Sequence, residues 1–141
     1  MSDCIFCKII NGDILSAKVY EDEHVYAFLD ISQVTKGHTL VIPKVHKENV
    51  FELTSEQAAH LFEVVPKIAN AIKKEFQAEG LNILNNNGAV AGQTVFHFHM
   101  HLIPRYGKND GFHPIFQDHS GEYSKEEFQQ IAQSIAQHLP N

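Results

Sequence analysis

Short runs of apolar, β-branched and aromatic residues, separated by polar turns, predict strands along the first hundred residues. Five segments have this character: residues 18–20, 25–29, 38–42, 81–84 and 94–103. The acidic residues 21–23 separate the first two segments and predict a hairpin. The third follows a turn at Gly37 and ends at Pro43, which has no N–H for a strand ladder.

A different period, close to 3.6 residues, predicts one long helix in the middle of the chain. Residues 54–57 have capping-box form, so this helix should begin at Thr54 and end near Gly80. Its apolar face consists of Leu61, Val65, Ile68, Ile72 and Phe76. Pro66 should bend or split the helix, because it removes a backbone donor and its ring clashes with the preceding turn.

Two shorter helices complete the pattern. The first is expected over residues 4–10, with Asp3 as its N-cap and Asn11-Gly12 as its end. The second should begin at Ser124, and we expect it to bury Phe128, Ile131, Ile135 and Leu139. Blocks of strands interrupted by one long helix predict an α+β fold with a mainly antiparallel sheet.

Composition places the chain among ordinary globular domains. It has 141 residues, of which 43% are hydrophobic and 20% charged, so we expect one domain over residues 1–141. Residues 107–141 carry no recognisable motif and are interpreted as a C-terminal extension.

Charge and hydropathy exclude some classes of partner. The formal net charge is −6 and there is no basic block, which argues against binding to a nucleic-acid polymer. A single nucleotide remains possible, because a few oriented amides and imidazoles can hold one phosphate. The N-terminal residues lack the pattern of a signal peptide, and no apolar run approaches the roughly 18 residues that span a bilayer. We therefore expect a cytoplasmic protein without a membrane partner.

Three histidines at two-residue spacing are the most informative feature of the sequence. In a strand, His97, His99 and His101 would point to one face, with neighbouring Cα atoms roughly 6.5 to 7 Å apart. Phe98, Met100 and Leu102 would point to the other face. By itself the row could be a pH-sensitive surface, a zinc site of three imidazoles, or polar positions on the solvent face of a strand.

The run His97-Phe98-His99-Met100-His101-Leu102-Ile103 resembles the signature of the histidine triad family, in the branch that includes nucleoside phosphoramidases. The resemblance extends from Cys4 to about Arg105. Its supporting segments are Ala27-Phe28-Leu29-Asp30-Ile31, Gly37-His38-Thr39-Leu40-Val41-Ile42-Pro43-Lys44, Asn86-Asn87-Gly88 and Gly92-Gln93-Thr94. It implies the histidine triad fold and a homodimer that pairs through the long helix and a shared sheet.

The resemblance also implies roles for the polar residues. His99 would be the nucleophile that attacks the α-phosphorus and forms a nucleotidyl-imidazole intermediate, with its other nitrogen held as N–H by a backbone carbonyl. His101 and Thr94 would contact the α-phosphate, and His38 would lie nearby as an orienting group. The backbone amides of Gln93 and Thr94 would add to this cradle.

The nucleoside would be bound by a mixed polar and apolar surface. By the same resemblance, Asp30 would accept hydrogen bonds from the ribose hydroxyls and Asn86 would lie near the phosphate. The apolar walls around the base would be Ile5, Phe6, Phe28, Ile31 and Leu40.

The two cysteines, Cys4 and Cys7, have the C-x2-C spacing of half a zinc site. A thioredoxin-like redox pair and two reduced thiols are the alternatives, although the strand-to-helix context of the redox motif is missing. Candidates for the other two ligands are His46 and, by resemblance to zinc-bearing relatives, His97. Such a Cys2His2 site would hold a structural zinc ion; no organic cofactor is expected.

These observations lead to one functional hypothesis and several alternatives. The first is hydrolysis of a purine nucleoside 5′-phosphoramidate or a related nucleoside monophosphate derivative through His99. The alternatives are a dinucleoside polyphosphate hydrolase, a nucleotide-binding regulatory protein, and a zinc-dependent hydrolase with the triad as ligands.

Overall fold

The sheet predicted from the apolar segments is antiparallel throughout. The computed structural model describes residues 3–140. Its strands are β1 (Lys18–Glu21), β2 (Val25–Leu29), β3 (Thr39–Pro43), β4 (Gly80–Leu84) and β5 (Met100–Arg105), in the order β1-β2-β3-β5-β4. Its α-helices are α1 (Ile5–Ile10), α2 (Ser55–Phe76) and α3 (Lys125–Ala136). The predicted α+β class with an antiparallel sheet is confirmed.

The central strands carry apolar side chains on both faces of the sheet. Val25 and Ala27 of β2 pack in one cluster with the apolar residues of α2, while Tyr26 and Phe28 pack in another with α1. Successive side chains point to opposite faces of a sheet, so a strand buried on both sides must be apolar at every position. All of Val25, Tyr26, Ala27 and Phe28 are buried, and the sheet is a layer between the two helices.

Helix α2 is continuous from Ser55 to Phe76, and the expectation that Pro66 would split it is wrong. Thr54 caps it with the predicted capping box. Pro66 lies on the exposed side, where water can bind the Phe62 carbonyl that lacks a donor. The helix ends before Gly80, since Gln77 adopts a left-handed conformation with φ of 55°.

The two short helices depart from their predictions in different ways. Helix α1 is capped by Cys4 rather than Asp3, because the Cys4 Sγ accepts a hydrogen bond from the Cys7 backbone N–H at 3.4 Å. Helix α3 has the predicted capping box at Ser124. Its apolar stripe is not buried as expected: Phe128, Ile131, Ile135 and Leu139 are 43–67% exposed.

Strand β5 begins at Met100, six residues later than the predicted strand. Before it, the backbone N–H of Phe98 donates to the Lys47 carbonyl at 2.6 Å. The histidine row therefore enters the sheet only at its last member. Within residues 3–140, no helix is long and apolar enough to cross a membrane.

Candidate active site

A cleft of about 790 Å³ opens on the α1 side of the sheet. A cleft of this size can hold a nucleotide. The residues that sequence analysis expected to contact substrate and that line it are Ile5, Phe6, Phe28, Asp30, Ile31, Leu40, Asn86, Thr94, His99 and His101. They come from α1, β2, β3, β5 and two loops, so the fold brings together positions that are far apart in the sequence.

His99 is held in one orientation at the floor of this cleft. Its Nδ1–H donates to the His97 carbonyl at 2.7 Å, the contact expected from the sequence, and its own carbonyl accepts from Asn85 Nδ2 at 2.9 Å. Burial lowers the pKa of the His99 imidazole, so the ring is neutral near pH 7. A neutral ring with the proton on Nδ1 carries its lone pair on Nε2. His99 therefore presents a nucleophilic nitrogen.

A chain of hydrogen bonds fixes the tautomer of His101. The backbone N–H of Val34 donates to His38 Nδ1 at 3.2 Å, which leaves the His38 proton on Nε2. His38 Nε2 lies 2.9 Å from His101 Nδ1 and donates to it. The His101 proton is thereby on Nε2. His101 lines the cleft as a hydrogen-bond donor, which suits a phosphoryl oxygen.

Burial keeps this histidine pair neutral. It lowers the pKa of His101 to about 4, and the neighbouring His99 and His38 act in the same direction. Burial also lowers the pKa of His38, against the opposing effect of the Asp30 carboxylate. Because both rings are uncharged near pH 7, each has one donor and one acceptor nitrogen, as the hydrogen-bond chain requires.

Asp30 lies beside the pair with one carboxylate oxygen still available. Its Oδ1 accepts from the Ser32 backbone N–H at 2.8 Å, while its Oδ2 is 3.6 Å from His38 Nε2 and 3.9 Å from His101 Nδ1. Asp30, His38 and His101 are close enough to be considered as metal ligands. The 2.9 Å separation of the two ring nitrogens is, however, a hydrogen-bond distance and shorter than the roughly 3.3 Å between nitrogens on tetrahedral zinc.

Gln93 does not line the cleft, and its predicted role as a substrate contact is not supported. Its side chain donates to the Glu48 carbonyl at 2.6 Å and the Val95 carbonyl at 3.0 Å, and accepts from the Gly88 N–H at 2.7 Å. Its own N–H donates to the Gly88 carbonyl. Gln93, 4% exposed, fixes the loop that carries Thr94.

His97 is directed away from the other two histidines of the row. Its ring lies among Cys4, Cys7 and His46, and its Nε2–H donates to the Pro43 carbonyl at 2.8 Å. The three imidazoles therefore do not converge on one ion, and the alternative of a three-histidine zinc site is wrong. The solvent-face interpretation is also wrong, since His97 is fully buried and His99 is 6% exposed.

The Cys4, Cys7, His46 and His97 group has the dimensions of a zinc site. Cys4 Sγ and Cys7 Sγ lie 3.4 Å and 3.6 Å from His97 Nδ1, and Cys7 Sγ lies 3.4 Å from His46 Nδ1. Tetrahedral zinc with ordinary bond lengths separates sulfur and nitrogen ligands by about 3.6 Å. The Pro43 contact leaves His97 Nδ1 unprotonated, as a ligand must be. These residues fit zinc.

Several parts of the site were not found from the sequence. Ile9 lies one helical turn after Ile5 and could have been found by that spacing. Ile14, Leu15 and Val95 also line the cleft, without a local pattern that distinguishes them from other apolar residues. Asn85 belongs to a polar loop expected only to form a turn, and its contact with His99 had no signal in the sequence.

Comparison with known proteins gives one matching family. The HIT domain model matches residues 11–108. Protein hit from Bacillus subtilis is 66% identical over 137 residues, which are 97% of this chain and 94% of that protein. Adenosine 5′-monophosphoramidase hnt1 from Schizosaccharomyces pombe is 44% identical over 108 residues, 77% of this chain and 78% of the enzyme.

Solved structures agree with this comparison. A HIT family protein from Bacillus anthracis superimposes with a TM-score of 0.95 at 68% identity, over 98% of both chains. A zinc-bound histidine triad family protein from Mycobacterium smegmatis gives a TM-score of 0.75 at 36% identity, over 96% of this chain and 95% of that one. The second structure shows that the same fold occurs with bound zinc.

Proposed function

This chain belongs to the HIT, or histidine triad, family, which includes nucleotide-binding proteins and hydrolases, and we propose that it hydrolyses purine nucleoside 5′-phosphoramidates through His99. The observation that carries the proposal is the 2.7 Å contact from His99 Nδ1–H to the His97 carbonyl. It leaves the Nε2 lone pair of a neutral imidazole available at the cleft. The similarity to a monophosphoramidase over 77% of the chain supports the same reaction class.

The reaction proceeds in two displacements at the α-phosphorus. His99 Nε2 forms a bond to phosphorus, the bond from phosphorus to the amine nitrogen breaks, and the amine leaves with a proton from solvent. Water then attacks the phosphorus of the nucleotidyl-imidazole, the bond to Nε2 breaks, and the water's proton goes to solvent. The products are the free amine and a nucleoside monophosphate.

The neighbouring polar groups stabilise the negative charge that develops on the phosphoryl oxygens. His101 donates from Nε2–H, and the Thr94 hydroxyl lies on the same cleft. Asn86 is a further polar group at the cleft wall. All of these donors are neutral, so phosphate binding here depends on their orientation rather than on net positive charge.

The remainder of the cleft suits a nucleoside. The Asp30 Oδ2 makes no hydrogen bond within the described residues and can accept from ribose hydroxyls. Phe6, Phe28 and Leu40 form a largely buried apolar wall against which a base can stack. Cys4, Cys7, His46 and His97 would hold a structural zinc ion, which would supply cross-linking between α1 and the chain before β5 rather than chemistry on the substrate.

The test compares the wild-type protein with His99→Ala on adenosine 5′-phosphoramidate. Loss of the nucleophile should lower turnover by at least about a thousandfold, while the affinity for adenosine monophosphate, measured by calorimetry, changes little. His113→Ala, at an exposed histidine, is the matched control and should keep full activity.

The same measurements separate the alternatives. Equal hydrolysis by wild type and His99→Ala would exclude His99 as the nucleophile. Binding of adenosine monophosphate without turnover by the wild type would favour a regulatory nucleotide-binding protein. A parallel assay with a dinucleoside polyphosphate at equal concentration decides between an amine and a nucleotide as leaving group.

A further inference from the structure

His97 connects the zinc-site residues to the nucleophile through two parts of the same residue. Its ring nitrogen Nδ1 lies 3.4 Å from Cys4 Sγ and 3.6 Å from Cys7 Sγ. Its backbone carbonyl accepts the hydrogen bond from His99 Nδ1–H. His97 is fully buried, so water cannot replace either contact. A change in the position of the ring must therefore be accommodated by the backbone that holds His99.

Phe6 provides a second connection. It lies between the two cysteines on α1, and its ring makes edge contacts with His97 and His99 at centroid distances of 5.9 and 5.1 Å. Helix α1 has only six residues, and a helix this short is not stable without tertiary contacts. The position of Phe6 against His99 therefore depends on how Cys4 and Cys7 are held.

The His97 carbonyl determines which nitrogen of His99 is reactive. A free histidine ring favours the tautomer with its proton on Nε2, which would block attack on phosphorus from that nitrogen. A carbonyl fixed 2.7 Å from Nδ1 selects the opposite tautomer. If the carbonyl moves, the fraction of His99 in the reactive tautomer falls even though the residue remains in the cleft.

We propose that Cys4, Cys7 and His46 are positioning residues for His99, which act through His97 and Phe6 so that a filled metal site selects the reactive tautomer. The expected effect on kcat rests on the proposed function, whereas the expected effect on the His99 tautomer does not. Asp30 lies in the turn after β2 and is not among the Cys4, Cys7, His46 and His97 group, so binding of the ribose should depend on the metal site less than turnover does.

The test uses purified full-length protein with and without an intact ligand set. His46→Asn removes one ligand and does not mutate His97, Phe6 or His99. His113→Asn is the matched control on the surface. Zinc content is measured by elemental analysis. The tautomer of His99 is read from the two ring ¹⁵N shifts by NMR, assigned with His99→Ala.

The wild type should contain about one zinc per chain and show the Nδ1–H tautomer of His99. In His46→Asn we expect zinc to be lost, the His99 shifts to move toward the Nε2–H tautomer, and kcat to fall about tenfold or more. KM and the affinity for adenosine monophosphate should change by a smaller factor than kcat, because the Asp30 contact to the ribose is kept, and general loss of folding would not produce this split. Saturating zinc should restore the spectrum and kcat together.

A second pair of variants keeps the test decisive if His46→Asn folds poorly. Cys7→His retains four ligands and should keep both zinc and the His99 spectrum, whereas Cys7→Ser should lose both. Unchanged His99 shifts after loss of zinc, or a wild type that binds no zinc, would overturn the proposal. A wild type without phosphoramidase activity whose His99 tautomer still follows zinc would instead refute only the proposed function.

Discussion

The histidine pair beside His99 shows how single residues define this site. His38 has no expected covalent role, yet its Nε2–H is the donor that places the His101 proton on the cleft side. The series of hydrogen bonds that ends at His101 starts at the backbone N–H of Val34, which can only donate. The protonation pattern of His101 is therefore set by the backbone.

Replacing His38 by Leu should lower kcat by about ten- to a hundredfold, because His101 Nδ1 loses its donor and the ring then populates both tautomers. His38→Gln places an amide donor near the former Nε2 and should recover part of the loss. Steady-state kinetics of both variants, with chemical denaturation to confirm folding, checks this. Equal activity of the Leu and Gln variants would contradict the role given to Nε2–H.

For single residues, good candidates could be chosen from the sequence, but not all of their contacts. Residue types and spacing, with the family resemblance, were enough to select His99, His101 and Asp30, all of which line the cleft. They were not enough for Gln93, because a motif position does not say whether an amide faces a ligand or a neighbouring loop. The three hydrogen bonds of its side chain are made to groups whose positions depend on the folded loops.

Among the elements, helix α2 shows how packing overrides local preference. Its buried stripe of Leu61, Val64, Val65, Ile68 and Ile72 keeps the helix continuous through Pro66. Proline in a helix interior costs about 3 kcal/mol relative to alanine, which burial of this stripe can offset. The sequence contained both signals, and only the tertiary contacts of the stripe determined that the helix would not split.

Pro66→Ala should therefore raise the free energy of unfolding by about 2 kcal/mol. The gain from restoring the backbone hydrogen bond to Phe62 exceeds the loss of proline's restriction of the unfolded chain, about 0.4–1 kcal/mol. Urea denaturation monitored by circular dichroism measures the change, and Lys67→Ala at the next exposed position should alter stability by only a few tenths of a kcal/mol. An unchanged or lower stability of Pro66→Ala would show that the helix is already adapted to the proline.

Taken as a whole, the molecule buries several neutral histidines, and this makes its stability depend on pH. Burial lowers the pKa values of His38, His99 and His101, with that of His101 at about 4. As pH falls below the ordinary histidine value of about 6.5, the unfolded chain takes up protons that the folded chain does not. Stability is then greatest above pH 6.5 and is lost progressively as pH falls toward 4.

Denaturation at a series of pH values between 7.5 and 4.5 measures this loss. His101→Gln should make the decline shallower, because that residue no longer takes up a proton on unfolding. His113→Gln, at an exposed position, should retain the slope of the wild type. Identical slopes for His101→Gln and the wild type would contradict the assignment.

The outer surface leads to a prediction about assembly. Phe62 on α2 is 54% exposed, and Ile83 is 48% exposed on β4, which is an edge strand of the sheet. An exposed strand edge beside an apolar helix surface is suited to pairing with a second copy of the chain. We expect a homodimer in solution that contacts through both residues.

Sedimentation equilibrium tests this arrangement. Phe62→Glu should give a monomer, because it places a charge in the interface, whereas Ile115→Glu, an equally drastic change at a residue that is 93% exposed, should remain dimeric. A monomeric wild type, or a dimer that survives both Phe62→Glu and Ile83→Glu, would exclude this interface.

The features that depend on local periodicity and on short spacings could be read from the amino-acid sequence. These include the antiparallel sheet, the capping boxes at Thr54 and Ser124, the position of His99 and His101 on one face, and the pairing of Cys4 with Cys7. Alternation and helical spacing act over a few residues, so they can be recognised before the chain is folded.

Tertiary structure alone decided the features that depend on residues far apart in the chain. Cys4 meets His97 across 93 positions, and this contact separates His97 from the two histidines with which it shares a motif. The exposed apolar stripe of α3 and the start of β5 at Met100 also depend on contacts with residues far away in the sequence. Whether an apolar or polar side chain finds a partner is settled by which distant surface lies opposite it, and periodicity carries no information about that surface.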